Sequence, residues 1–326
     1  VSLQGNQLVV GADFDSGQGN AFSNSGAVYL FNNPFGATSL NGIIGKGYLG
    51  TGDLDLSSLE FRDQFGYSVA LSGSQLVVGA SRDDGENNTV SDSGAVYLIR
   101  DTFGTPSLVG TIGSGYSGIG DFNVGSLEAS DQFGSSVSLF NGKLAIGADW
   151  DDGQGNILTE SGAVYLISDP FGSASLNGII GKGYKGGDYN LTSLEAGDGF
   201  GTSVSLSGSQ LAVGAYFDDS QSNTSQFTGA VYLFNDPFGT PSLHGIIGKG
   251  YAGTGNFNLD TLDEIDNFGY SVSLNGNQLA VGSPGDDGLN NPSSFAINQG
   301  AVYLINDPFG TPSLHGTIGW LYSNTG

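Results

Sequence analysis

Asp63-Gln64-Phe65-Gly66, Leu76-Val77-Val78-Gly79 and Gly94-Ala95-Val96-Tyr97-Leu98 follow one another within 36 residues, and together they decide the fold. The third motif recurs five times. Its copies begin 68, 68, 67 and 71 residues apart, at Gly26, Gly94, Gly162, Gly229 and Gly300. A fixed period of this length predicts a repeat architecture in which each copy is one structural unit.

The other two motifs keep the phase of the third. Asp-x-Phe-Gly begins at Asp63, Asp131, Asp198 and Asp266, and Leu-(Val/Ala)-(Val/Ile)-Gly begins at Leu8, Leu76, Leu144, Leu211 and Leu279. These positions divide the chain into repeats of approximately 1–62, 63–130, 131–197, 198–265 and 266–326. We expect the first blade to be incomplete at its N-terminal strand, because Val1-Ser2-Leu3 matches Val69-Ala70-Leu71.

Each repeat contains four short segments that have strand composition and no helical periodicity. In the second repeat they cover residues 65–71, 75–80, 94–99 and 107–112. The turn Ser72-Gly73-Ser74 between the first two segments predicts an antiparallel hairpin. Val-Tyr-Leu is apolar on both faces of a strand, which predicts that both faces are covered.

We therefore predict an all-β fold. It is a single β-propeller over residues 1–326 with five four-stranded antiparallel blades, one for each repeat of about 68 residues. Stacked blades supply the cover that strands with two apolar faces need, and a propeller leaves only short strand edges exposed. A linear β-solenoid is the alternative, although its rungs are usually much shorter than this repeat.

The chain is strongly acidic, with 8 Lys and Arg against 32 Asp and Glu and a net charge of −24. Such a surface repels phosphate backbones and anionic lipid heads, so we expect no nucleic-acid partner. The chain has no Cys, which excludes disulfides, thiol nucleophiles and Cys-ligated zinc. Its longest apolar runs, such as residues 27–31, are too short to span a bilayer, and we expect no membrane insertion.

The three motifs resemble FG-GAP repeats, whose best-known members are the heads of integrin α-subunits. The resemblance rests on residues 63–69, 76–80 and 94–98 and on their copies. It implies a propeller in which Phe-Gly and Gly-Ala segments pack blade against blade. It also implies a secreted or cell-surface protein that works in adhesion, ligand binding or scaffolding.

One difference separates this chain from the integrin pattern. Integrin blades carry calcium loops between their first two strands, where this chain has a short Gly turn. Its acidic loop lies between strands two and three, as in the bacterial FG-GAP variants that the chain resembles more.

That acidic loop is the candidate metal site. Carboxylate and Asn side chains alternate there with flexible Gly, a pattern that suits Ca²⁺ because the ion takes six to eight oxygen ligands. The candidate ligands are Asp13, Asp15 and Asn20 in the first repeat, Asp83, Asp84 and Asn88 in the second, Asp149, Asp151, Asp152 and Asn156 in the third, Asp218, Asp219 and Asn223 in the fourth, and Asp286, Asp287 and Asn291 in the fifth. The alternative is an Asx turn, in which Asp and Asn side chains bond their own backbone.

Three aromatic residues occupy equivalent places in these loops, namely Phe14, Trp150 and Phe217. Aromatic rings beside carboxylate and amide groups can stack on sugar rings, so these residues are candidate ligand-binding positions. The alternative is that they pack against a neighbouring blade.

The near-identity of the repeats argues against an enzyme, because an active site needs unequal groups in unequal roles. We expect a non-enzymatic extracellular repeat protein that is a structural or adhesion module, with strand pairing at its open ends joining copies into a surface filament. Its partners would be a cell-surface or matrix protein, a glycan, or copies of itself. The alternative is a calcium-dependent carbohydrate-binding lectin.

Overall fold

The computed structural model describes residues 1–288, 299–320 and 322. Within these residues the regular secondary structure is β, and the one helical piece is the three-residue 3-10 turn Gln18–Asn20. No helix in this part of the chain is long and apolar enough to cross a membrane. The chain divides into two compact units, 1–151 with 167–176 and 152–166 with 177–326.

The first unit contains the first two blades and the start of the third. Blade 1 consists of β1 (Ser2–Gln4), β2 (Gln7–Ala12), β3 (Ala27–Asn32), β4 (Ser39–Gly45) and β5 (Leu54–Asp55). Blade 2 consists of β6 (Phe65–Ser72), β7 (Gln75–Ala80), β8 (Ala95–Arg100), β9 (Ser107–Gly113) and β10 (Phe122–Asn123). Blade 3 begins with β11 (Ser136–Phe140) and β12 (Lys143–Ala148), and its β13 (Ala163–Ser168) crosses the boundary between the units.

The second unit contains the end of blade 3 and the last two blades. Blade 3 ends with β14 (Ser175–Gly181) and β15 (Tyr189–Asn190). Blade 4 consists of β16 (Phe200–Ser207), β17 (Gln210–Ala215), β18 (Ala230–Asn235), β19 (Ser242–Gly248) and β20 (Phe257–Asn258). Blade 5 consists of β21 (Ser271–Asn275), β22 (Gln278–Ser283), β23 (Ala301–Asn306) and β24 (Ser313–Gly319).

The predicted fold class, an all-β propeller with five blades, is confirmed. In blades 1, 2, 4 and 5 the strands lie in chain order, and the first four of each blade pair antiparallel. The structure adds one feature to the four predicted strands. Blades 1 to 4 have a fifth strand of two residues, which pairs parallel with the fourth, whereas blade 5 has four strands in the described residues.

A polar side chain just ahead of each fifth strand explains the added pairing. In blade 2, Asp121 Oδ1 accepts a hydrogen bond from the backbone N–H of Thr111 in β9 at 2.7 Å, and Phe122 then pairs with Ile112. Asp53, Asp188 and Asn256 accept the equivalent bonds from Ile43, Ile179 and Ile246 at 2.8 Å. These side chains satisfy donors on the outer strand of the blade, so the polar linker is part of the sheet.

Within each unit the leading strand of one blade packs on the face of the blade before it. Phe65 at the start of β6 forms a parallel bridge with Gly26, and Phe268 ahead of β21 forms the same bridge with Gly229. The Phe rings are fully buried and contact Tyr97 and Tyr303 edge-on, with centroids 5.3 Å apart in each case. The acidic loops that follow β7 and β17 therefore start from strands that are buried along most of their length.

Candidate functional site in the acidic loops

The acidic loop of blade 2 is anchored by a buried carboxylate. Asp83, which is 3% exposed, accepts hydrogen bonds from the Tyr97 hydroxyl at 2.8 Å and from the Tyr116 hydroxyl at 2.9 Å. The backbone N–H of Gly85 donates a third, at 2.8 Å. Tyr97 lies on β8 and Tyr116 follows β9, so one carboxylate ties the loop to two strands. We call this arrangement the Asp–Tyr–Tyr cluster.

The same cluster recurs in three other blades. Its members are Asp15, Tyr29 and Tyr48 in blade 1, Asp218, Tyr232 and Tyr251 in blade 4, and Asp286, Tyr303 and Tyr322 in blade 5, with O–O distances between 2.6 and 3.0 Å. In blade 3, Asp151 is buried, and the hydroxyls of Tyr165 and Tyr184 lie 3.4 Å apart. In blades 1, 2, 4 and 5 one carboxylate thus accepts hydrogen bonds from two tyrosine hydroxyls, which ties each of these loops to its blade.

A second buried carboxylate comes from each Asp-x-Phe-Gly motif. Asp63, Asp198 and Asp266 each accept the backbone N–H of the acidic residue three positions earlier, at 2.6 to 2.7 Å. Burial is the main reason that the pKa values of these groups are raised, to about 7 for Asp63, about 8 for Asp198 and about 7 for Asp266. The negative charge of the loop carboxylate, Asp83, Asp218 or Asp286, raises them further.

In blade 4 the two layers of carboxylates line one cavity of about 290 Å³. Its walls include Glu195, Asp198, Asp218 and Asp219. Burial also raises the pKa of Asp218, to about 7. Carboxyl groups with such pKa values hold protons near neutral pH, so the cavity carries less negative charge than its composition implies.

An Asn–Glu pair lies across the acidic loop in two blades. The Asn223 side-chain amide donates to Glu195 Oε2 at 2.6 Å in blade 4, and Asn88 donates to Glu60 Oε2 at 2.6 Å in blade 2. Asn20, Asn88, Asn156 and Asn223 all have φ between 52° and 56°. Asn tolerates this left-handed conformation better than most residues, which accounts for Asn at this position.

The remaining carboxylates of the loop close it on itself. Asp84, Asp152 and Asp219 each accept the backbone N–H of the residue eight positions later, at 2.7 to 2.8 Å. Asp13 and Asp287 are half-buried, and Asp149 is buried. Asn291 lies outside the described residues. The described contacts are those of backbone-bonding turns, the alternative that we set against a metal site.

The predicted calcium ligands are not assembled into a preformed metal cluster in the described part of the chain. There, no group of three or more His, Asp and Glu side chains is arranged to hold a metal ion. The contacts supply the reason, because Asp15, Asp83, Asp218 and Asp286 already accept bonds from two Tyr hydroxyls each. The calcium site stays a prediction.

The three candidate aromatic residues lie in the loops of three different blades. Phe14 is 67% exposed, Trp150 is 41% exposed and Phe217 is 37% exposed. The ring of Phe217 lies against Tyr216, with centroids 3.8 Å apart, and against Phe227 at 5.2 Å. Phe217 is therefore part of an aromatic cluster within its own unit.

Sequence reasoning missed the tyrosines, although the chain carries a signal for them. In blades 1, 2 and 4 the loop Asp is followed by one Tyr 14 residues later and by a second 33 residues later. The first Tyr belongs to Gly-Ala-Val-Tyr-Leu, a pattern that predicts a core residue. The second Tyr lies in a Gly-rich turn. Only the fold brings the two hydroxyls to one carboxylate.

The model of the FG-GAP repeat family matches residues 57–99, 127–167, 194–234 and 263–305. Each match contains one Asp-x-Phe-Gly motif, one acidic loop and one Gly-Ala-Val-Tyr-Leu strand. No curated protein matches the chain. FG-GAP propellers are typical of adhesion and structural modules at the cell surface or outside the cell, and the fold is in general non-enzymatic. The four matches cover more than half of the 326 residues, and the chain belongs to the FG-GAP repeat family.

Proposed function

We propose that this chain is a non-enzymatic, extracellular structural or adhesion module that associates with other proteins, or with copies of itself, through its blade edges. The observation that carries the proposal is the recurrence of the Asp–Tyr–Tyr cluster in blades 1, 2, 4 and 5. The polar groups of the acidic loops are used to hold each loop in place. A series of blades anchored in the same way is suited to a rigid scaffold that bears load or displays binding surfaces.

The geometry of the carboxylates supports a non-enzymatic role. A hydrolase needs an acid and a base in different environments that converge on one substrate atom. Here the pair Asp63 and Asp83 has its counterpart in Asp198 and Asp218, with the same kinds of partner. Equivalent buried pairs in blades 2 and 4 have the character of structural elements.

Association through strands is supported by the position of the first strand of each blade. Among the described strands, β1, β6, β11, β16 and β21 each stand at one end of their sheet. An exposed edge offers unpaired N–H and C=O groups to a further strand, and such pairing is a common means of protein association.

Electron microscopy and sedimentation of the purified protein, in calcium and in chelator, test the proposal. We expect the protein to form ordered end-to-end assemblies as its concentration rises. Single particles at every concentration, together with no retention on matrix-coated or cell-coated surfaces, would contradict a structural or adhesion role. Assemblies that disperse in chelator would additionally make calcium part of the association.

A calcium-dependent lectin is the second candidate function, favoured by the exposure of Phe14 and Trp150 beside loop carboxylates. Glycan-array binding by the intact protein tests it, with Trp150→Ala as the disabling variant. Phe35→Ala is the matched control, since Phe35 is an exposed aromatic residue outside the acidic loops. Specific glycan binding that is lost only in Trp150→Ala would establish the lectin, and binding that neither variant changes would remove it.

A further inference from the structure

The cavity of blade 4 has room for one small ligand. Its volume of about 290 Å³ is close to the lower limit for ligand pockets in proteins, about 300 Å³. All of its lining residues lie in the second compact unit. The segment between β15 and β16 contributes Ser193, Glu195 and Asp198, and the acidic loop contributes Asp218, Asp219, Gln221 and Asn223.

Several carboxylate oxygens of this lining accept no hydrogen bond from the described residues. Asp198 is 5% exposed, and its Oδ2 accepts the Glu195 N–H at 2.7 Å, whereas its Oδ1 has no such partner. Asp219 accepts the Phe227 N–H with Oδ1 at 2.8 Å and leaves Oδ2. Glu195 accepts the Asn223 amide with Oε2 and leaves Oε1. Because a buried carboxylate oxygen normally has a partner, Asp198 Oδ1 points to a ligand that supplies a donor.

The lining also offers hydrogen-bond donors. Gln221 accepts the Ala252 N–H with Oε1 at 3.3 Å, and its side-chain amide N–H groups have no acceptor among the described residues. The Ser193 hydroxyl likewise makes no hydrogen bond with them. A metal ion or an ammonium group could use only the acceptors, whereas a sugar hydroxyl both donates and accepts. The mixture of free donors and acceptors therefore favours a ligand with several hydroxyl groups.

An aromatic surface adjoins the cavity. Phe227, whose N–H bonds Asp219, is 40% exposed, and its ring centroid lies 5.2 Å from that of Phe217. Phe217 is 37% exposed and directly precedes Asp218 in the chain. The ring of Tyr216 continues the cluster, 3.8 Å from Phe217. The faces of aromatic rings are apolar surfaces on which the C–H groups of a sugar ring can stack.

The backbone at Phe227 is unusual for an aromatic residue. Its φ is 53°, in the left-handed region where Asn and Asp are much more frequent than bulky residues. The equivalent residues of blades 1 to 3 have φ between 49° and 54°, and they are Asn24, Asp92 and Glu160. An exposed aromatic ring at such a position costs stability, and conformations of this kind cluster at binding sites.

We propose that the cavity of blade 4 binds one sugar residue of a neutral glycan, and that the rings of Phe217 and Phe227 stack on the adjoining sugar. Sugar hydroxyls donate to Asp198 Oδ1 and Asp219 Oδ2, and they accept from the Gln221 amide. The net charge of −24 favours a neutral glycan over an anionic one. The site goes beyond the proposed structural or adhesion function, and it differs from the second candidate function in its location and in needing no metal ion.

Saturation-transfer NMR of the intact protein in chelator tests the proposal. The probes are the methyl glycosides of glucose, galactose, mannose and N-acetylglucosamine, and ethylammonium chloride is the cationic comparison. We expect saturable binding of at least one sugar and no binding of ethylammonium. Isothermal titration then measures the dissociation constant of that sugar and of its disaccharide. The disaccharide should bind more tightly, because it also reaches the aromatic rings.

Three variants and a matched control separate this cavity from other surfaces. Gln221→Ala and Asp198→Asn should each weaken sugar binding about tenfold, since each removes one hydrogen bond to the ligand. Gln154→Ala should leave binding unchanged, because Gln154 is the equivalent exposed residue of blade 3, with the same kind of backbone bond. Phe227→Asn introduces the residue that blade 1 has at this φ, so the variant should keep the melting temperature of the parent and lose only the gain of the disaccharide.

No saturable binding by any of the sugars overturns the inference, and so does binding that Gln221→Ala and Gln154→Ala weaken equally. Binding of ethylammonium in place of the sugars would make the ligand a cation, which also overturns it. Assembly or adhesion that persists while every sugar fails leaves the proposed function standing. Sugar binding by a protein that neither assembles nor adheres keeps this site and removes the proposed function.

Discussion

Blades 4 and 5 have nearly the same sequence on the face that carries the Val of Gly-Ala-Val-Tyr-Leu. That face is buried in blade 4 and exposed in blade 5. Val231 and Ile247 are fully buried, while Val302 and Ile318 are 37% and 60% exposed. Gly214 lies against the Gly269 carbonyl, whereas Gly282 meets only its own blade. Blade 4 is therefore covered on this face by the Asp-x-Phe-Gly segment of the next repeat, whose Phe268 pairs with Gly229.

The largest expected effect is the pH dependence of the free energy of unfolding, which depends on the buried carboxylates of blades 4 and 5. Burial raises the native pKa values of Asp198, Asp218 and Asp266 to between about 7 and about 8. Between about pH 4 and pH 8 the native state then binds more protons than the unfolded state, so the free energy of unfolding falls as pH rises. A difference of one pKa unit between the folded and the unfolded state is worth about 1.4 kcal/mol, and Asp198 and Asp218 contribute as a pair because they interact.

Urea unfolding at a series of pH values measures this slope. Asp198→Asn should flatten it in blade 4, and Asp266→Asn should flatten it in blade 5. Asp260→Asn, at an exposed position, controls for the change in net charge. A slope that Asp198→Asn leaves as steep as in the parent protein would show that this pair titrates like ordinary exposed carboxylates.

The next largest effect compares a glycine on the buried face of blade 4, Gly214, with the equivalent glycine of blade 5, Gly282. Gly214→Ala forces a methyl group against a backbone carbonyl that has little room to move, and we expect a loss of about 3 kcal/mol in the free energy of unfolding. Gly282→Ala in the equivalent position of blade 5 should cost about 1 kcal/mol or less. Thermal and urea unfolding measure both, and similar losses would mean that the face of blade 5 is covered in solution.

A smaller effect concerns the Asp–Tyr–Tyr clusters. Tyr251→Phe removes a donor from the buried Asp218, with an expected cost of about 1 to 2 kcal/mol. Tyr322→Phe removes the equivalent donor from Asp286 in blade 5, where Tyr322 is half-buried and water can replace the hydroxyl. That cost should stay below about 1 kcal/mol. Equal costs would contradict a looser cluster in blade 5.

Calcium is expected to have the smallest effect. Calcium sites of extracellular modules have dissociation constants of about 0.1 to 1 mM. At about 5 mM calcium, a site of 1 mM would add about 1 kcal/mol to the free energy of unfolding. Differential scanning calorimetry with calcium and with magnesium measures the shift, and Asp219→Asn should reduce it. If about 5 mM calcium does not shift the melting temperature, the protein has no calcium site of this affinity.

The sequence predicted the strands closely and the fifth strands not at all. Residues 65–71 and 75–80 were expected as strands of blade 2, and the structure has Phe65–Ser72 and Gln75–Ala80. Alternating apolar residues between Gly turns are a local signal for such strands. Phe122–Asn123 is too short to show a pattern, and its pairing depends on the bond between Asp121 and a distant backbone N–H.

The sequence singled out the acidic loops as the candidate site, but the hydrogen-bond partners of their carboxylates were not visible there. The acidic loop with Asp83 and Asp84 was singled out as a set of oxygen ligands. Its partners, Tyr97 and Tyr116, lie 14 and 33 residues away from Asp83. The local sequence around a carboxylate in a turn is the same whether the carboxylate contacts an ion, solvent or two hydroxyl groups.

The sequence by itself determined the number of blades, their strands and their family, because these follow from period, alternation and turn chemistry, which are properties of neighbouring residues. Tertiary structure alone decided that the loop carboxylates are anchored by tyrosines and that Val302 and Ile318 of blade 5 are exposed where Val231 and Ile247 of blade 4 are buried. Both outcomes depend on which distant groups meet. Burial, hydrogen-bond partners and raised pKa values therefore arise only when the strands are assembled.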